Sequence, residues 1–144
     1  MQIALGSDEK TPLTDALEKA LRERGCRVQL HGALAEDADD SWPSVGTLVA
    51  NAVAGGSCES GIVCCWSGTG VSIAANKVPG IRAALCGDAE TAALARTWND
   101  ANVLALSLRV TPPDAVDAIL DRWFAAEPTS DPRYRAMIDR VSRT

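Results

Sequence analysis

Five times along the chain a short apolar run gives way to a stretch whose apolar residues recur at helical spacing. That alternation limits the fold more than any other feature of the sequence. The runs are "QIALGS" from Gln2, "CRVQL" from Cys26, "GIVCC" from Gly61, "IRAALC" from Ile81 and "NVLAL" from Asn102. Between the first two, Thr11 and Pro12 read as an N-cap and a first helical residue. Leu13, Leu17, Ala20 and Leu21 then form one apolar stripe, and Gly25 closes the helix. Val45, Leu48, Val49, Ala52 and Val53 mark a second helix, stopped by Gly55-Gly56. A third runs from about Val71 to Lys77, and Pro79-Gly80 turns the chain into the fourth strand. Asp88 caps a fourth helix through Arg96, and Thr111-Pro112 opens a fifth with Val116, Ile119, Leu120 and Trp123 on one face. After "EPTSDP", a final amphipathic helix carries Arg133, Arg135 and Arg140. Repeated strand–helix units predict an α/β fold: a five-stranded parallel sheet with helices on both faces, three layers in all.

In sheets of this kind ligands bind outside the carboxyl ends of the strands. The rule selects "GSDEK" after the first strand, "CCWSGTG" after the third, "CGDAE" after the fourth and "SLRV" after the fifth. The length of 144 residues suits one domain over 1–144, and 47% hydrophobic residues supply a core. A net charge of −5 without a basic run argues against a nucleic-acid partner. No stretch approaches the roughly 20 apolar residues of a membrane helix, and the amino terminus does not read as a signal peptide. The five cysteines lack CxxC spacing and read as reduced thiols of a cytoplasmic protein, with no metal expected. His31, the one histidine, reads as structural and builds neither a His-based metal centre nor a triad.

Alternation along the third strand sends Cys64 and Cys65 to opposite faces, and Cys65, nearer the strand end, is the better choice to face the crevice. A thiol beside the free N–H groups of a helix start is favoured as thiolate and serves as base or nucleophile. Two small buried hydrophobes are the alternative reading. Gly68 and Gly70, with the Ser67 and Thr69 hydroxyls, offer amides to an oxyanion or phosphate. The loop lacks the third glycine of the dinucleotide fingerprint and the lysine of a phosphate-binding P-loop. Asp88, about twenty positions on, leaves nucleotide binding open as a weaker reading.

"GSD", Cys65 with its Gly/Ser/Thr loop, "SIAANKVPGIRAALC" and "NDANVLAL" together resemble the type B ribose-5-phosphate isomerases and their galactose-6-phosphate isomerase relatives. The resemblance runs in order along nearly the whole chain. It implies a Rossmann-like fold and a homodimer, alone or paired into tetramers, with residues 127–144 at the interface and active sites between subunits. It further implies aldose–ketose isomerisation of a small carbohydrate without cofactor or metal. Cys65 falls on the family's catalytic base and Ser67 on its usual Thr or Ser. The amides around Gly68, Thr69 and Gly70 match the anion hole for the enediolate oxygen. Asp8 matches the residue that binds substrate hydroxyls, Asn99 an asparagine lining the pocket, and Arg133 a phosphate-binding arginine supplied by the partner.

The departures share a direction. Glu9 replaces a histidine associated with phosphate contact, and an acid repels phosphate. Trp98 replaces the histidine that assists ring opening, and an indole exchanges no proton at neutral pH. Trp66 stands where a glycine follows the cysteine, Ser41-Trp42-Pro43 replaces "DYP", and Met137 replaces a second arginine. Lys10, Arg109 and Arg135 are the available substitute cations. The expected substrate is therefore already open-chain, such as a tetrose phosphate, or lacks the standard phosphate. An epimerase using the same intermediate, or a noncatalytic sugar- or nucleotide-binding homologue, is the alternative function.

Overall fold

The computed structural model describes residues 1–144. Its sheet contains β1 (Gln2–Ser7), β2 (Arg27–Gly32), β3 (Ser60–Cys65), β4 (Ala83–Leu85) and β5 (Val103–Ser107). All pairings are parallel, in the order β2-β1-β3-β5-β4. The helices are α1 (Pro12–Glu23), α2 (Trp42–Ala54), α3 (Thr69–Asn76), α4 (Ala89–Asn99), α5 (Val116–Ala125) and α6 (Pro132–Ser142). The expected fold class is the one found.

Strand alternation divides the core into two apolar layers. Ile3, Leu5, Ile62, Cys64, Leu104 and Leu106 pack under α1, α4 and α5, through residues such as Leu17, Ala92 and Leu120. Ala4, Val63, Cys65, Val103 and Ala105 pack under α2 and α3, through Val45, Val49, Val71 and Ala75. Trp123 is 2% exposed and its indole N–H donates to Ser60 Oγ at 3.2 Å, so it belongs to the core. None of the helices is long and apolar enough to cross a membrane.

Local signals fix the helix starts. Thr11 and Thr14 exchange hydrogen bonds in a capping box before Pro12, and the Asp88 carboxylate accepts from the Thr91 amide at 2.7 Å. The fifth helix opens as a 3-10 turn, Pro113–Ala115, before it becomes α-helical. The fourth helix runs past Arg96 to Asn99, where Asp100 closes it in the left-handed region at φ 46°.

Charge at Asp100 explains that ending. Its carboxylate receives Arg96 at 3.3 Å and Arg135 of α6 at 3.1 Å, with Arg82 at 3.7 Å. Arg82 also reaches Ser142 Oγ at 3.1 Å. Arg82, Arg96 and Arg135 are thus not a solvated face, the usual fate of surface charges. They clasp the carboxyl-terminal helix to the end of α4.

Candidate active site

From β1 the chain goes to β2 on one side and then to β3 on the other. The sheet therefore has its switch point between β1 and β3, the place at the carboxyl ends where sheets of this kind form a ligand crevice. Ser7-Asp8 and Cys65-Trp66 lie at its two lips. Ser7 is fully buried; its hydroxyl donates to the Glu9 carbonyl at 2.6 Å and accepts from the Glu9 amide at 3.2 Å. That tight turn fixes Asp8 at the strand end. Thr11, not Asp8, caps α1, so the Asp8 carboxylate is free to meet a ligand.

Burial first, and then the charges of Glu9 and Asp40, hold the Asp8 carboxyl above its ordinary value, with its own amide opposing. The folded chain therefore binds this proton more tightly than the unfolded chain does. The contribution to stability is present in acid and is lost as pH rises through the unfolded and then the folded value. Asp8→Asn is expected to raise the melting temperature at neutral pH, with the difference from wild type closing in acid. The same change lowers kcat/KM if Asp8 holds substrate hydroxyls; thermal melts across pH and steady-state kinetics check the two halves separately.

Cys64 and Cys65 point to opposite layers as alternation requires. Cys64 is sealed in the α1–α5 layer, and burial drives its thiol far above the ordinary range. Cys65 ends β3 at 4% exposure, against the α2–α3 layer. Its backbone is anchored from the next loop: the Leu108 amide donates to the Cys65 carbonyl at 2.9 Å and the Arg109 amide to the Trp66 carbonyl at 2.9 Å. Ser107 Oγ donates to that Trp66 carbonyl at 2.8 Å and accepts from Arg109 and Val110 amides. Ser107 is a positioning residue: the strand-end rule selected its segment, "SLRV", but not its partner Trp66, which belongs to another strand's loop.

The glycine loop has a definite division of labour. Gly68 adopts φ 78° and its amide donates to the Cys65 carbonyl at 3.2 Å, so this N–H is spent on the turn. Ser67 and Thr69 hydroxyls lie 2.7 Å apart. The amides of Gly70 and Val71, in the first turn of α3, find no acceptor within the chain. The Thr69 amide donates to Ser67 Oγ at 3.4 Å, so of the expected donors only Gly70 stays free, and Val71 joins it because an amide donates whatever its side chain. A Cβ on Gly70 would sit 2.8 Å from the Trp42 ring, so that indole covers the loop. A Cβ on Gly68 would meet the Leu106 backbone at 2.9 Å. Gly68→Ala is accordingly expected to cost at least about 2 kcal/mol, from left-handed strain plus the clash, read as a lowered denaturation midpoint.

Trp98, Asn99 and Arg133 are not brought to this crevice within one chain. Helix α4 runs antiparallel to the strands, so its last residues return to the amino end of β5, four residues before Ser107 at Val103. That places them at least about 13 Å along the strand from Cys65. There Trp98 meets Tyr134 edge-on, with centroids 5.1 Å apart, and Arg133 lies 4.7 Å over the Tyr134 ring. A cavity of about 700 Å³ opens beside them, lined by Trp98, Asn99, Tyr134, Met137, Ile138 and Val141 among others. It includes none of the residues at the β1–β3 crevice. Trp66, at 62% exposure, and Trp42, at 44%, are the tryptophans of the Cys65 end. Among the candidate substitute cations, Lys10 pairs with Asp15 and Arg135 with Asp100, whereas Arg109 has no carboxylate partner.

The chain's residues 3–141 match the family model described as Ribose/Galactose Isomerase. Among curated proteins it is 43% identical over 107 residues to ribose-5-phosphate isomerase B of Escherichia coli strain K12, covering 74% of this chain and 71% of that one. It is 35% identical over 128 residues to D-erythrulose-4-phosphate isomerase of Pectobacterium atrosepticum, covering 88% and 84%. Among solved structures it superposes on Clostridium thermocellum ribose-5-phosphate isomerase B with a TM-score of 0.89 and 41% identity, covering 99% of this chain and 96% of that one. With this sheet order, this cysteine-ended third strand and a family match over nearly its full length, the chain belongs to the ribose/galactose isomerase family.

Proposed function

We propose that the protein interconverts an aldose phosphate and its ketose, with Cys65 as the base. The observation that carries this reading is the position of Cys65 at the carboxyl end of β3, joined by the three-residue turn Trp66, Ser67 and Gly68 to α3, whose Gly70 and Val71 amides have no acceptor. The Cys65 thiolate removes the proton from C2 of the open-chain aldose. The electron pair forms the C1–C2 double bond, and O1 takes the negative charge of an enediolate. Preorganised N–H donors at that oxygen stabilise the transition state without reorganisation. Ser67, paired with Thr69, moves the hydroxyl proton from O2 to O1. Cys65 then returns its proton to C1 and the carbonyl stands at C2, so atoms and charge balance. Asp8 holds the substrate hydroxyls. The relatives' activities on ribose 5-phosphate and D-erythrulose 4-phosphate support a sugar-phosphate substrate.

The working unit is a homodimer in which Trp98, Asn99 and Arg133 of a second copy close the Cys65 crevice. Their placement at the opposite end of the sheet, on a face rich in exposed apolar side chains (Met137, Val141, Trp98), supports this. Arg109 and the second copy's Arg133 receive the phosphate, offsetting Glu9.

Incubation with aldose phosphates in deuterated water tests the reaction. Deuterium entering C1 of the ketose, and lost with Cys65→Ala, is the expected result. Inversion at C2 with no ketose identifies an epimerase, and tight binding without exchange identifies a noncatalytic homologue.

A further inference from the structure

We infer that the substrate is an acyclic four-carbon sugar phosphate, one whose terminal oxygen carries the phosphate so that no furanose or pyranose ring can close. The inference rests on the isomerase reading above. Proton removal beside a carbonyl requires the carbonyl to be free. A pentose or hexose phosphate with an available ring hydroxyl is stored as a cyclic hemiacetal. Opening it demands a proton taken from the anomeric hydroxyl and another given to the ring oxygen. Near neutral pH that exchange suits a group such as imidazole.

The chain has one imidazole, and it is in the wrong place. His31 lies in β2, separated from β3 by β1 and hence about 10 Å across the sheet. It is half-buried, and its Nε2 pairs with Gln29 Oε1 at 3.2 Å, a residue nearer the amino end of its own strand. The same Gln29 oxygen accepts from Cys58 Sγ at 3.3 Å, which draws the pair further from the crevice. Burial, only partly opposed by Asp37, disfavours the charged ring. In a second copy His31 likewise lies on β2, the edge strand opposite β4, whereas the α4–α6 patch proposed to close the crevice lies beside β4, so that patch brings no imidazole with it.

The remaining groups of both patches do not replace it. Trp42, Trp66 and Trp98 present indoles, which donate but do not exchange protons. Asn99 is an amide, and the Tyr134 hydroxyl is held by Arg133 at 3.3 Å. Asp8 and Glu9 are adjacent acids on one loop, and the proposed chemistry already uses Asp8 on the substrate hydroxyls. The walls also favour a short molecule: Trp42 covers Gly70, and Trp66 projects beside Cys65. A tetrose 4-phosphate meets both limits. Its only other ring-forming hydroxyl, on C3, would give a strained four-membered ring, so its carbonyl needs no enzyme to free it.

The test compares D-erythrose 4-phosphate with D-ribose 5-phosphate on the wild-type protein, following deuterium incorporation by NMR over a wide range of enzyme concentration. The expected kcat/KM is at least about 100-fold higher for the tetrose, the scale of a missing general acid–base step. With ribose 5-phosphate the rate is expected to stop rising with enzyme and to level at the spontaneous ring-opening rate; with the tetrose it stays proportional to enzyme. Trp98→His is expected to lift that ceiling for ribose 5-phosphate. A ribose 5-phosphate rate proportional to enzyme throughout, and within about tenfold of the tetrose rate, overturns the inference and leaves the isomerase reading standing. Exchange with neither sugar overturns both.

Discussion

Cys65→Ala is expected to lower isomerisation by about 10³- to 10⁴-fold, the range over which a positioned base accelerates proton transfer. The chain is expected to stay folded. Cys65 sits at the edge of the α2–α3 layer, and removing one sulfur there leaves a small void rather than a lost hydrogen bond. A cost of about 1 kcal/mol moves the melting temperature by about 2–4 °C in a chain of this size. Cys65→Ser separates chemistry from packing more sharply. The hydroxyl nearly preserves volume but is a far weaker base near neutral pH, so activity should fall almost as far as in the alanine variant. Cys64→Ser gives the matching control on the neighbouring position. Its thiol is walled into the opposite layer, so the change is expected to reduce stability by burying a hydroxyl while sparing the proton-transfer step. Comparable losses of kcat in correctly folded Cys64 and Cys65 variants would remove the special role assigned to Cys65.

Much of this was legible in the sequence because it is local. Thr11-Pro12 marked the start of α1, where the capping box spans only the four residues from Thr11 to Thr14. The five apolar runs located the strands, and alternation separated Cys64 from Cys65. The sheet order was not legible, since it depends on which distant strands pair, and β5 inserts between β3 and β4. Without it the switch point between β1 and β3 could not be drawn. The end of α4 was missed for a related reason. Thr97, Trp98 and Asn99 continue no apolar stripe, and what holds them helical is Asp100 with arginines from positions 82, 96 and 135. That extension carries Trp98 and Asn99 to the amino end of the sheet. The donor set of the loop was legible in kind but not in detail, because hydrogen bonding within the turn decides which amides stay free.

The separation of the two residue groups leads to the second large effect. Cys65→Ala disables the strand end of the crevice, and Asn99→Ala with Arg133→Ala disables the α4–α6 patch. If each crevice is built from two copies, each variant alone is inactive, because both of its sites carry the same defect. Coexpressed with distinct tags, the chains pair at random and about half the dimers are mixed. In a mixed dimer one crevice collects both damaged halves and the other collects both intact halves. Activity is therefore expected to return to about a quarter of wild type, and tandem purification through both tags should raise it to about a half. The geometry permits no such rescue for a site closed within one chain, since two defective copies then never share an intact crevice. A coexpressed pair that copurifies as a mixed dimer yet stays inactive would place Asn99 and Arg133 outside the Cys65 crevice. Restored turnover would assign the carboxyl-terminal helix a catalytic duty toward its neighbour, which explains why three arginines and one carboxylate are committed to holding it in place.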